Sequence, residues 1–307
     1  MNEYVLRTRG LTKRYKNQLA LDSVDLAIRQ GAIYGFIGQN GAGKSTLMKL
    51  VTGLAFQTSG TIELFGETGE KELIRSRKRM GVAIETPALY PSMTARENLE
   101  AHRLQRGIPG KDCIARTLEL VGLEGTGRKT ARNFSLGMKQ RLALGVALLG
   151  DPEFLILDEP TNGLDPMGVV EMRELLQKLN RERGITILIS SHILSELDLV
   201  ATYYGIIHRG KLLEQMTAKE LREKCRHYLH IKVDEPQRAA AVFERELATS
   251  EYEVMADGVI RLYAHLENPA RVSRALVESG LEVEQFMPTG EDLESYFTAR
   301  IGGGKHV

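Results

Sequence analysis

With 307 residues the chain is long enough to bury a full core and to hold one large domain plus a smaller one. Its 41 lysines and arginines face 40 aspartates and glutamates, and a net charge of +1 gives no reason to expect a nucleic-acid partner. Two cysteines far apart, Cys113 and Cys225, exclude a disulfide framework, and charges break every apolar run before it could cross a bilayer, so a soluble cytoplasmic chain is expected.

The early segment reads as β-rich. Tyr15 lies in a polar setting, Leu11-Thr12-Lys13-Arg14-Tyr15-Lys16, where an aromatic ring could offer its face to a base. Val24, Leu26 and Ile28 alternate with polar neighbours as in one half-buried strand, and Gln30-Gly31 turns into the apolar run Ile33-Tyr34-Gly35-Phe36-Ile37. That buried strand leads through Gly38-Gln39-Asn40-Gly41-Ala42-Gly43-Lys44-Ser45-Thr46 into a helix opening at Leu47, the context a P-loop requires. Short strands are expected at 61–64 and 80–84 around a charged helix at 70–79, the second strand ending at Glu85-Thr86-Pro87.

From about 94 to 150 the pattern turns helical, with Thr94-Ala95-Arg96-Glu97 resembling a capping box. Phe154-Leu155-Ile156-Leu157-Asp158-Glu159 is an unbroken apolar strand with two carboxylates at its carboxyl end, where ligands bind in open α/β sheets. Residues 166–183 form a helix with Met172, Leu175, Leu176 and Leu179 on one face, and strands follow at 186–190 and 204–208. Beyond about 217 the composition changes. Strands at 228–233, 259–263 and 282–286 alternate with helices at 237–247, 269–279 and about 291–299, a small α+β accessory domain ending in Gly302-Gly303-Gly304.

The glycines of the loop let its N–H groups curl inward around a polyphosphate, so Gly38, Asn40, Gly41, Ala42, Gly43, Lys44, Ser45 and Thr46 are nucleotide-binding candidates. Lys44 can reach the β- and γ-phosphates, and the Ser45 hydroxyl is placed to ligate Mg²⁺ together with Asp158. Glu159, one residue on, can polarise an attacking water.

Ser135-Leu136-Gly137-Met138-Lys139-Gln140-Arg141 resembles the signature of the ATP-binding cassettes of ABC transporters, and from residue 11 to about 214 the motifs stand in that family's order. The resemblance implies an α/β P-loop NTPase domain at 1–216, with a mixed sheet and a helical subdomain at about 94–150, followed by the accessory domain at 217–307. It implies ATP and Mg²⁺ as cofactors and a second cassette as partner, either an identical copy or a related one. Ser135 and Gly137 would then contact the γ-phosphate held by the other subunit, and Asp165, in Asn162-Gly163-Leu164-Asp165, would reach across the dimer. By the same resemblance His192 is the switch histidine, and Tyr15 stacks on adenine.

Leu136 and Met138 stand where the family usually has glycine and glutamine. Glu85 replaces a glutamine that links the nucleotide and metal site to the membrane subunit, and an ionised glutamate only accepts hydrogen bonds and adds negative charge there. With these departures, the stretches 84–90, 134–141 and 190–196 resemble the bacitracin-resistance and lantibiotic-immunity type of subunit. So do 257–263 and 292–297 in the tail. The expectation is an ATPase subunit, peripheral on the cytoplasmic face of the membrane, that drives export of a peptide antibiotic through separate permease subunits received around Glu85 and residues 91–105. A lipid, cell-wall precursor or small drug stays open as cargo. A soluble ATP-gated clamp is disfavoured by the single P-loop and the lack of sustained heptads.

Overall fold

Five residues without a single charged side chain before Gly38 build the centre of the first sheet: the strand Ile33–Ile37 is buried along its whole length. The computed structural model describes residues 3–84, 89–290 and 292–301, and the chain divides into two units, Met1–Ala218 and Lys219–Val307. Glu85, Thr86 and Pro87, the expected helix start at Glu291 and the glycines at 302–304 lie outside the described residues.

In the first unit the strands are β1 (Tyr4–Tyr15), β2 (Gln18–Val24), β3 (Ala27–Arg29), β4 (Ile33–Ile37), β5 (Ser59–Leu64), β6 (Met80–Ala83), β7 (Phe154–Asp158), β8 (Thr186–Ser191), β9 (Tyr203–His208) and β10 (Lys211–Thr217). Its helices are α1 (Lys44–Thr52), α2 (Glu70–Arg77), α3 (Ala95–Gln105), α4 (Asp112–Leu120), α5 (Leu136–Leu148), α6 (Pro166–Arg183) and α7 (Leu194–Asp198). One sheet runs β10-β9-β4-β8-β7-β6, parallel except for β10 at its edge. A second, antiparallel sheet has β1 paired with β2, β3 and β5. Leu6, Leu21, Leu26, Ile28, Phe36, Leu47 and Phe154 join both sheets and α1 in one apolar cluster. Each such fully buried side chain contributes about 1.5–3 kcal/mol by leaving water.

The single strand expected over Val24, Leu26 and Ile28 is two strands. β2 stops at Val24 and β3 starts at Ala27, and the Asp25 carboxylate between them accepts the Gly10 N–H at 2.6 Å. The helical stretch at 94–150 is three helices, and the box at its start forms: Thr94 accepts the Glu97 N–H while Glu97 accepts the Thr94 N–H. β1, β10 and α7 are elements the sequence pattern did not announce.

A helix α8 (Ala218–Lys224) spans the division. The second unit continues with β11 (Tyr228–Val233), α9 (Pro236–Arg245), β12 (Tyr252–Val254), β13 (Val259–Leu262), α10 (Pro269–Glu278), β14 (Val283–Thr289) and α11 (Leu293–Ile301). Its sheet runs β12-β13-β11-β14, all antiparallel, the βαββαβ arrangement of ferredoxin-like folds. The alternation of β11 explains the layering: Leu229, Ile231 and Val233 face Val242, Phe243, Val272 and Leu276 of the two helices in a separate core.

Candidate nucleotide site

Parallel register brings three carboxyl ends together. Ile37 of β4 lies beside Ser191 of β8, and Asp158 of β7 beside Ser190. The loop after β4, the acidic pair after β7 and the serine-histidine segment after β8 therefore share one edge of the sheet.

At Gly38 an added Cβ would stand 2.6 Å from the Ile207 carbonyl, so no other residue fits. Gly43 has φ +114 and forms the N-cap of α1 without a side-chain cap, which leaves the first N–H groups of the helix for a ligand. Lys44 is only 5 % exposed. Its ammonium donates to Gly38 O at 2.6 Å and Gln39 O at 3.3 Å and pairs with Glu159 Oε1 at 3.3 Å. A buried cation with three oxygens around it is held at a fixed point of the loop.

The carboxylate after β7 is shared. Ser45 donates to Asp158 Oδ2 at 2.7 Å, and Ser190 donates to Oδ1. Ser190 in turn accepts the Glu159 N–H at 2.9 Å. That contact holds Glu159 at φ 49, in the left-handed region that costs a non-glycine residue about 1–3 kcal/mol. Turned this way, Glu159 presents Oε1 to Lys44 and Oε2 to His192 Nδ1, 3.1 Å away.

A cleft of about 430 Å³ opens above the loop, lined by Gln39, Asn40, Gly41, Gly43, Lys44, Ser45, Thr46 and Glu159, with Tyr15 among its walls. Tyr15 ends β1, is 45 % exposed, and has the Lys13 ammonium 4.7 Å from its ring centre. Gly38 and Ala42 are not among the lining residues; the Gly38 carbonyl holds Lys44, and the Ala42 carbonyl accepts the Gly210 N–H. Below the loop, burial pushes the Tyr34 phenol well above its ordinary value, and it donates to Gln215 at 2.8 Å.

Ser135, Gly137 and Asp165 are not in this cleft. Ser135 caps α5 by accepting the Met138 N–H at 3.2 Å, and Asp165 caps α6 by accepting the Gly168 N–H at 3.0 Å. The two caps are neighbours: a Cβ at Gly163 would stand 3.0 Å from the end of Leu136, and one at Gly137 3.8 Å from the end of Leu164. Glu85 lies outside the described residues. The Ser45 hydroxyl and the Asp158 carboxylate supply two hard oxygen donors in contact, which suits Mg²⁺, an ion that keeps several waters and takes phosphate oxygens.

Sequence reasoning missed Ser190, whose signal was a hydroxyl interrupting an apolar strand at its carboxyl end, and the cleft residues Gln18, Arg209 and Gly210.

Residues 21–162 match the family described as ABC transporter. The chain is 45 % identical over 303 residues to the bacitracin transport ATP-binding protein BcrA of Bacillus licheniformis, covering 98 % of both chains. It is 42 % identical over 209 residues to the lantibiotic transport ATP-binding protein SrtF of Streptococcus pyogenes, covering 68 % of this chain and 89 % of that one. The solved structure of cbiO1 from Clostridium perfringens, part of the ABC transporter complex cbiONQ, aligns with a TM-score of 0.66 at 28 % identity over 80 % of this chain and 97 % of that one. A similarity that runs through the second unit as well as the P-loop domain bears out the resemblance in the motifs, and the chain belongs to the ABC transporter family as one of its ATP-binding, ATP-hydrolysing subunits.

Proposed function

We propose that this subunit drives export of bacitracin or a related cell-wall-active peptide through separate permease subunits, working as one of two cassettes on the cytoplasmic face of the membrane. The observation that carries the cargo is the near full-length similarity to a bacitracin transport ATP-binding protein. Among the described residues no helix is long and apolar enough to cross a membrane, which fits a subunit that relies on a permease.

In the reaction we infer, Tyr15 offers its face to adenine and the N–H groups of the loop hold the phosphates. Ser45 and Asp158 would hold Mg²⁺, which when bound neutralises phosphate charge. Lys44 keeps its bonds to the Gly38 and Gln39 carbonyls and exchanges Glu159 for a γ-phosphate oxygen. Glu159, still oriented by His192, then takes a proton from water as the water oxygen bonds to the γ-phosphorus and the bond to ADP breaks. Ser135 and Gly137 of a second copy would close over the same phosphate, with Asp165 beside them, so ATP would hold the pair together. Glu85 and residues 91–105 are where we place the permease.

Glu159→Gln tests the reading. Removing the base should cut hydrolysis by about 10²- to 10⁴-fold with ATP still bound. Cells carrying this chain and its native permease should resist bacitracin or lantibiotics, and cells carrying the variant should not. Protection by neither would overturn the peptide cargo, and hydrolysis at the wild-type rate would remove Glu159 from the base role.

A further inference from the structure

Arg209 is a cation in the nucleotide cleft to which the P-loop chemistry assigns nothing. It lines the same cleft as Tyr15 and residues 39–46, is exposed to it, and its guanidinium has no hydrogen-bond or ion-pair partner among the described residues. The other cation of the cleft is committed: Lys44 is buried against Gly38 O, Gln39 O and Glu159 at the hydrolytic end.

The backbone beneath Arg209 is fixed. His208 pairs with Lys211, so Arg209 and Gly210 form a two-residue hairpin loop between β9 and β10, and both have positive φ, 47° and 80°. The Gly210 N–H donates to Ala42 O of the P-loop at 2.9 Å, and the Gly210 carbonyl accepts the Asp22 N–H at 2.9 Å. An ion pair between Lys211 and Asp22 at 3.3 Å ties down the next residue. A Cβ on Gly210 or on Gly43 would stand 2.9 or 2.8 Å from the same Ala20 carbonyl, so turn, β2 and loop are packed against one point. A flexible cation on a rigid mount beside the loop loses little backbone freedom on closing over an anion.

Its place decides the anion. The turn is bonded to Ala42 of the phosphate-binding loop, and the Lys44–Glu159 pair already occupies the hydrolytic end. Resting on the ATP reading above, we infer that Arg209 donates to the diphosphate that ATP and ADP have in common.

The test is calorimetric titration of ATP and of ADP into the full chain, its Arg209→Asn form and its Arg209→Lys form. Asparagine tolerates the left-handed turn, so the hairpin is kept. Losing one charge-assisted hydrogen bond should weaken ATP and ADP equally, by about tenfold. Lysine, which keeps the charge, should restore affinity to within about threefold. Equal affinities for wild type and Arg209→Asn would overturn the inference, as would a loss confined to ATP, which would put the cation on the γ-phosphate. Should the asparagine form fail to fold, an Arg209→Lys form that binds no better than Arg209→Glu would overturn it equally. A wild-type chain that binds neither nucleotide would instead refute the ATP reading itself.

Discussion

The Glu159 carboxylate meets Lys44 with one oxygen and His192 with the other, and Ser190 sets its direction. The Ser190 hydroxyl donates a hydrogen bond to Asp158 and accepts one from the Glu159 N–H, so the Mg²⁺-holding candidate and the candidate base are positioned by one oxygen. Ser190→Ala leaves that N–H without its acceptor, a loss of about 1–3 kcal/mol, and frees Glu159 to leave its left-handed conformation. Hydrolysis should fall by about tenfold while ATP affinity changes by less than about threefold, since Ser190 does not itself line the cleft. Single-turnover hydrolysis beside equilibrium binding separates the two, and an unchanged rate would reduce Ser190 to a packing role. Asp158 and Glu159 were legible because two carboxylates closing an apolar strand beside a P-loop have few other uses. Ser190 was not, because its importance comes from register with Asp158 across β7 and β8.

At the scale of the element, the start of α3 is capped by residues close in sequence. Thr94 and Glu97 satisfy each other's backbone N–H groups, and the bond from the Thr94 N–H, followed by that from its hydroxyl, holds the Glu97 carboxyl below its ordinary value. Thr94→Ala should cost about 1 kcal/mol, read as a lower urea midpoint. The sign with pH follows from the depressed carboxyl: its contribution is present above the unfolded glutamate value and is lost as pH falls through the lower folded value. The difference between wild type and Glu97→Gln should therefore narrow on acidification, and a gap that held constant would show that the ionised carboxylate is not what caps α3. This box could be read from four residues because both partners lie within one turn. The course of β1 could not: its pairing with β2, β3 and β5 shifts register, and polar residues at 12–14 hide the strand pattern.

Across the whole molecule, every residue lining the nucleotide cleft belongs to the first unit, whereas the second has its own sheet, helices and apolar core. A chain ending at Ala218 should bind ATP with full-chain affinity to within about threefold, and residues 217–307 alone should unfold cooperatively in urea. A noncooperative fragment would show that the second core depends on the first. We propose that this unit braces the cassette dimer or tunes its ATPase rate, and a truncated chain equal to the full one in dimerisation, hydrolysis and transport would refute both.

The order of motifs along the chain determined the P-loop, the acidic pair, the signature and the family, because each is a short segment whose chemistry needs only its neighbours in sequence. The tertiary structure alone decided that Ser190 stands between Asp158 and Glu159, that Lys44 reaches back to Glu159, and that a hairpin turn places Arg209 beside the loop. The physical reason is that these residues stand at or just beyond the ends of different strands of one sheet, and strand order and register exist only once the chain has folded.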